Sequence, residues 1–264
     1  MADYKLPIIK KIFRPKTLVE PTVLFSTNHL LVVNKPPGWT AVPTDSGWDE
    51  KSLIHHLQSQ LLGGGSKSKY LNPLHRIDQP CSGLVVLGKT KKAGERIQPL
   101  WAAGKVQKTY LVVLSDDHDP TNGWKFIGGH MLKPKKTAPQ HGKRTVQFTN
   151  EPYPNTKYCE LKYRSLSPML LEISTQQGAR HMVRALLSYY GHTVAGDLRY
   201  GANRALEDQS VALHASSIEF PRELSLGTLQ QRSFEAPIPE TWKDYFGISQ
   251  EQVNHWLMDS PGSV

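Results

Sequence analysis

The chain has 264 residues, 38% hydrophobic and 21% charged, with 32 Lys/Arg against 23 Asp/Glu for a net charge of +9. That length supports a proper core in one large domain or two small ones, and no apolar run approaches the roughly 18 residues a membrane span needs. Two cysteines, Cys81 and Cys159, exclude a disulfide framework and a cysteine-rich zinc site and suit a reducing intracellular compartment, the cytoplasm or an organelle such as the mitochondrion.

Taken in chain order, "MADYKLPIIKKIFRPK" is basic but lacks the apolar core of a secretory signal. "TVLFSTNHLLVVNKPPG" predicts two short strands, Val23–Ser26 and Leu30–Asn34, ended by Pro36-Pro37-Gly38. Residues 51–62 predict a helix with Leu53, Ile54, Leu57 and Leu61 on one face, and "LLGGGSKSK" a surface loop. "GLVVLGK" is a buried strand, "KKAGERIQPLWAAGK" a helix striped by Ala93, Ile97, Leu100 and Trp101, and "KTYLVVL" another strand. From Lys125 to Arg144 there are six Lys/Arg, two histidines, three glycines, two prolines and no acid. That composition predicts a cationic surface excursion able to neutralise phosphates. "KYCELKYRSLS" and "MLLEISTQ" predict paired strands turning at Ser167-Pro168. Val183, Leu186, Leu187 and Tyr190 give one face of a helix stopped by Gly191. "VALHASSIEF" and "QQRSFEAPIP" add two strands, and Ser249 with Gln252 forms a capping box for a C-terminal helix. Strands and helices mix without regular alternation, so the fold class is α+β. The paired His55-His56 has no supporting cluster for a metal and reads as surface; His192 and His214 read as structural, and Tyr189-Tyr190 as core plus rim.

The stretch "LHRIDQPCSGLVVLGKT", residues 74–90, holds two candidate sites. Gly83 to Thr90 fits the letters of a phosphate-binding loop, G-x-x-x-x-G-K-[ST]. Such a loop wraps backbone N–H groups around phosphates and needs unusual backbone angles. Leu84-Val85-Val86-Leu87 is instead a strand interior, two of its residues β-branched. The front half is the better candidate: Asp78 lies beside Arg76 and a turn that leads into the buried strand. A carboxylate fixed near cations can serve as nucleophile or general base, or can form a salt bridge that pins the turn.

Several motifs in one order carry a resemblance. "HRIDQPCSGLVVLGKT", "VQKTYLVVL" and "LEISTQQGARHMVRALLSYYGHTVAGDLRYG", with "LLVVNKPPG" before them and "ALHASSIEF" and "FEAPIPETW" after, resemble the RluA-type family of RNA pseudouridine synthases from about residue 20 to 245. The resemblance implies an α+β fold with a central mixed, largely antiparallel sheet flanked by helices and a catalytic cleft. It implies a catalytic domain over 20–246 with the basic loop 116–150 inside it, an N-terminal extension 1–19 and a C-terminal tail 247–264 with a short helix.

By the same resemblance Asp78 is the nucleophile, Tyr110 stacks on the target base and is a candidate for handling the C5 proton, and Arg184 pairs with Asp78 and helps prise the base out. His75 and Arg76 frame the loop, and Lys35, Arg180 and His181 join them as RNA-contacting residues. No metal or organic cofactor is implied. The partner is RNA, ribosomal first and transfer RNA second, met by a monomer that can associate with ribosomal precursor particles and no membrane. The chemistry suits these residue types: breaking C1′–N1, turning the uracil and rejoining at C5 involves no net oxidation or hydrolysis. Attack on C1′ and proton removal to a glycal both remain open, and flipping a paired base out costs a few kcal/mol.

Three positions depart from the family pattern. Cys81 replaces a Thr or Val, Ala179 stands where an arginine is usual with Arg180 one step along, and Met182 replaces a glutamine. The small S4-type domain of some members has no counterpart, so specificity is expected from the catalytic domain, its tails or a partner. The alternative from another class is an RNA-binding ribosome-assembly factor on the same scaffold whose catalysis is dispensable, drawn from "GARHMVR" and the basic loop.

Overall fold

Two strands with no polar alternation organise the molecule: β1 (Thr22–Ser26) leads into β2 (Leu30–Lys35), which pairs antiparallel with β4 (Ser82–Gly88). Leu30, Val32, Leu84 and Val86 pack on one face, with helix α2 (Lys91–Ala102), while Leu31, Val33, Val85 and Leu87 pack on the other, with α1 (Leu53–Leu62). Both faces are therefore covered, and a strand buried on both faces reads as a continuous apolar run. The computed structural model describes residues 19–41, 52–62, 70–118, 123–132, 145–222, 224 and 231–259. The expected N-terminal extension except Val19, the glycine-serine loop at 63–69 and residues 133–144 of the basic loop lie outside the described residues.

The remaining elements are β3 (Asn72–Pro73), β5 (Gln107–Val113), β6 (Lys125–Leu132), β7 (Gln147–Thr149), β8 (Lys157–Ser165), β9 (Leu170–Thr175), α3 (Met182–Tyr189), β10 (Leu213–Glu219), β11 (Ser233–Glu235), α4 (Thr241–Phe246) and α5 (Gln250–Asp259). They build one eleven-stranded sheet in the order β1-β2-β4-β10-β5-β9-β8-β6-β7, with β11 on β10 and β3 on β4. Every pair is antiparallel except β4–β10. The expected mixed, largely antiparallel α+β sheet is what forms. None of the described helices is long and apolar enough to cross a membrane.

The capping box at α5 is present in both directions: Gln252 N–H donates to Ser249 Oγ at 3.3 Å and Ser249 N–H donates to Gln252 Oε1 at 2.8 Å. Val253 is fully buried and Trp256 and Leu257 pack on the same core as α3, so the tail helix docks on the domain. Gly191, at φ 84°, ends α3 as expected. His214 is structural, held between Ser82 Oγ and the Ala236 carbonyl.

One expectation is corrected. The cationic segment from Lys125 is not an excursion over its first eight residues: Lys125–Leu132 is β6, paired with β8 and β7. Gly128 and Gly129 suggested a loop, yet they stand in the strand because Tyr158 lies across Gly128, where a Cβ would meet its ring, and Phe148 and Thr149 crowd Gly129.

The parallel β4–β10 pair depends on one glycine. Gly83 has φ +114°, and a Cβ there would collide with the Ala215 backbone. Gly83→Ala is expected to cost about 3 kcal/mol or more, against about 1 kcal/mol for Gly104→Ala at an open positive-φ site, by urea denaturation of the two variants.

Candidate active site

Because β4 and β10 run parallel, their N-terminal ends lie side by side at the centre of the sheet. The loop that enters β4 carries Asp78, and β5, on the other side of β10, carries Tyr110 opposite Ala215. Helix α3 crosses this end and brings Arg184 from its first turns. A cleft open to solvent is lined by Arg76, Asp78, Cys81, Tyr110, His181 and Arg184 among others.

The Asp78 loop is pinned from several sides. Cys81 N–H closes a turn on the Asp78 carbonyl at 3.1 Å, Gly38 N–H donates to the Gln79 carbonyl at 2.8 Å, and Val211 N–H donates to the Pro80 carbonyl at 2.9 Å. Lys35, at the end of β2, is fully buried, and its Nζ donates to the carbonyls of Cys81 (2.6 Å), Pro36 (3.0 Å) and Gln79 (3.3 Å). Burial pulls its pKa down to about 7, while Cys81 and Asp78 pull the other way. The expected RNA contact of Lys35 is therefore corrected: its three donors are spent on the loop's own carbonyls. His75 is corrected for a similar reason. Its Nε2 accepts from Val86 N–H at 3.0 Å and its ring stacks on Trp101 at 4.4 Å, so it frames the loop from within. Burial drives its pKa down to about 3, with Lys108 adding to the effect, which keeps the ring neutral.

Arg184 joins two carboxylates. Its Nε and Nη2 grip Asp197 as a fork at 2.6 and 2.7 Å, and its Nη1 donates to Asp78 Oδ2 at 2.8 Å. The Arg184 side chain is 4% exposed, that of Asp197 1% and that of Asp78 14%. Burial by itself would lower the Arg184 pKa, but the Asp197 hydrogen bond and the surrounding anionic groups raise it well above the usual value. The guanidinium also lies over the Tyr200 ring, 5.2 Å from its centroid. Asp78 Oδ1 has no bond to Arg184; its neighbour is His181 Nε2 at 3.6 Å. His181 in turn has Nδ1 3.0 Å from the Tyr200 hydroxyl, and sits at φ 57°, the left-handed region that non-glycine residues seldom occupy.

Tyr110 is a neutral phenol: burial first, then the Asp78 charge, push its pKa well above the usual value. Burial does the same for the Cys81 thiol, so the pocket's cysteine is no thiolate nucleophile at neutral pH. The departures at Ala179 and Met182 line the same cleft and add apolar surface beside His181 and Arg184. Arg76 lines the cleft and is exposed; Arg180 is exposed one residue before His181. The structure thus brings together Asp78, Tyr110, Arg184, His181 and Arg76, and leaves Lys35 and His75 behind the loop. Asp197 and Tyr200 received no role from the sequence, although "GDLRYG" was part of the matched motif. The phosphate-loop letters are void, since Ser82–Gly88 is a strand interior and Thr90 Oγ caps α2 by accepting from Ala93 N–H.

A protein-family model described as RNA pseudouridylate synthase matches residues 29–189. A ribosomal large subunit pseudouridine synthase D of Zymomonas mobilis is 27% identical over 233 residues, 83% of this chain and 69% of that protein. A tRNA pseudouridine synthase C of Vibrio parahaemolyticus is 23% identical over 261 residues, 86% of this chain and 94% of that one. Among solved structures, human RNA pseudouridylate synthase domain containing 1 superposes with a TM-score of 0.66 at 18% identity, covering 94% of this chain and 99% of that one. The chain belongs to the RNA pseudouridylate synthase family, RluA-type. It is an isomerase that converts uridine to pseudouridine in RNA.

Removing Asp197 leaves a buried guanidinium with half its partners. Asp197→Asn is expected to cost about 3–5 kcal/mol of stability, measured by chemical denaturation, and to lower activity because Arg184 no longer holds its place beside Asp78.

Proposed function

We propose that this enzyme modifies specific uridines of structured RNA, ribosomal RNA foremost, with Asp78 as the reacting carboxylate. The observation that supports this is the division of labour on that side chain, which lines the cleft: Oδ2 is held by Arg184 at 2.8 Å while Oδ1 has His181 Nε2 no nearer than 3.6 Å. The two named relatives are a ribosomal large subunit and a tRNA pseudouridine synthase, and further ribosomal large subunit pseudouridine synthases among the similar proteins support ribosomal RNA. We take the catalytic domain to span 20–246, with 1–19 and the docked tail 247–264 flanking it, and the enzyme to work as a monomer that meets its substrate on ribosomal precursor particles.

The chemistry follows from positions. A uridine turned out of the RNA fills the cleft with its base against Tyr110, and its C1′ lies toward Asp78 Oδ1. C1′–N1 breaks with Oδ1 either bonded to C1′ or taking a proton from the sugar. The uracil turns within the cleft, held by Tyr110 and the apolar side of α3, and C5 bonds to C1′. As C5 bonds to C1′ the Oδ1–C1′ bond breaks, or Asp78 returns the proton to the sugar; C5 then loses its proton and N1, which left with the C1′–N1 electron pair, gains one, so atoms balance without any co-reactant. Arg184 shares its charge between two carboxylates, which leaves Asp78 only partly neutralised and able to react. Arg76, exposed in the cleft lining, and Arg180, exposed one residue before His181, supply charge for the RNA backbone.

Asp78→Ala is expected to lower turnover by about 10⁴-fold or more while RNA affinity stays within a few-fold. Mapping pseudouridine in ribosomal and transfer RNA from cells with the wild type, with Asp78→Ala and with neither tests both parts. Specific ribosomal marks absent without the protein, and not restored by the variant, are expected. A variant that restores growth without the marks would instead support a scaffold role, one that restores the marks would overturn Asp78 as the reacting group, and marks lost only from transfer RNA would move the substrate.

A further inference from the structure

The hydroxyl of Tyr200 decides the state of His181. Val146 N–H, which can only donate, points at the Tyr200 oxygen at 3.0 Å. The phenol's own proton is then free to go to the other neighbour, His181 Nδ1, at 3.0 Å. An Nδ1 that accepts is unprotonated, so the neutral ring carries its proton on Nε2. That N–H faces Asp78 Oδ1, the oxygen Arg184 leaves open. The other tautomer would set two lone pairs against each other, and a cationic ring would bind Oδ1 outright and blunt it.

We propose that His181 is a positioning residue for Asp78, locked by Tyr200 as the Nε2–H tautomer so that it steers Oδ1 toward the nucleotide without tying it up. The 3.6 Å separation fits this: it exceeds the 2.7–3.2 Å of a full N–H···O bond. The backbone at His181 accepts a left-handed conformation to put the ring there, ahead of the first turn of α3. The ring's surroundings hold it neutral as well. Burial lowers its pKa first; Asp78 opposes, and Arg184, Arg199 and Arg180 add to the lowering. The inference rests on Asp78 being the reacting group.

The test pairs an activity-independent readout with two substitutions. In the full-length protein labelled with ¹⁵N-histidine at pH 7.5, the His181 signals should show a protonated Nε2 and a bare Nδ1. Tyr200→Phe should give a mixture of tautomers and raise the ring's pKa by about 0.7 unit. His181→Leu should lower kcat about 10- to 100-fold with KM for RNA within about threefold. His181→Gln, whose amide N–H falls near the place of Nε2, should regain about tenfold over the leucine variant. A wild-type ring protonated at Nδ1, a leucine variant with undiminished kcat, or a glutamine variant no better than leucine would each overturn the proposal. A wild type that converts no uridine would instead strike at the proposed substrate or at Asp78, leaving the tautomer result to stand on its own.

Discussion

A single guanidinium holds the catalytic end of this protein together. Arg184 is buried, and a buried cation is tolerable only where it is matched and its donors are used. Asp197 supplies the match with a two-point grip, and the remaining Nη1 reaches Asp78. The same side chain thus ties helix α3 and the nearby turn after Val194 to the loop before β4, 106 residues away from Arg184 in sequence. Any rearrangement that releases Asp78 must also leave Arg184 with an unfilled donor. The ion triad fixes the Asp78 carboxylate by the cost of moving it.

The sheet explains why the triad can form where it does. Antiparallel neighbours send successive loops to opposite ends, whereas the parallel β4–β10 pair brings two entries to one end. Gly83 permits this, because the strands approach closely enough that no side chain fits between them. The loop then needs its carbonyls satisfied away from water, and Lys35 does that from β2. A lysine in "VVNKPPG" thus serves the catalytic loop from behind.

Much of this was legible in the residues. Hydrophobic runs and helical stripes located β2, β4 and α3 to within a residue or two and α2 to within three, since their periodicity reflects which faces are buried. Motif order located Asp78, Tyr110 and Arg184, and they meet in one cleft. What escaped depends on tertiary contact. Asp197 and Tyr200 act through partners that only folding brings near. Lys35 and His75 have residue types that suit RNA contact, and only burial and bonding show them turned inward. Gly128-Gly129 carried a loop signal because a strand glycine kept for a neighbouring tyrosine looks the same in sequence as a flexible one.

Isomerising a nucleotide without losing the freed base requires a wall on each side of the uracil and one oxygen that can reach the sugar. In the proposed reading Tyr110 and the Met182–Val183 start of α3 offer the walls, and Asp78 Oδ1 offers the oxygen. The most direct measurement is a crystal structure with RNA bearing 5-methyluridine at the target position, which has no C5 hydrogen to give up. The account predicts that nucleotide flipped into the cleft, its base on Tyr110, Arg184 still on Oδ2, and C1′ about 3–3.5 Å from Oδ1. A nucleotide left stacked in the RNA, or one seated in a cleft remote from Asp78, would contradict it.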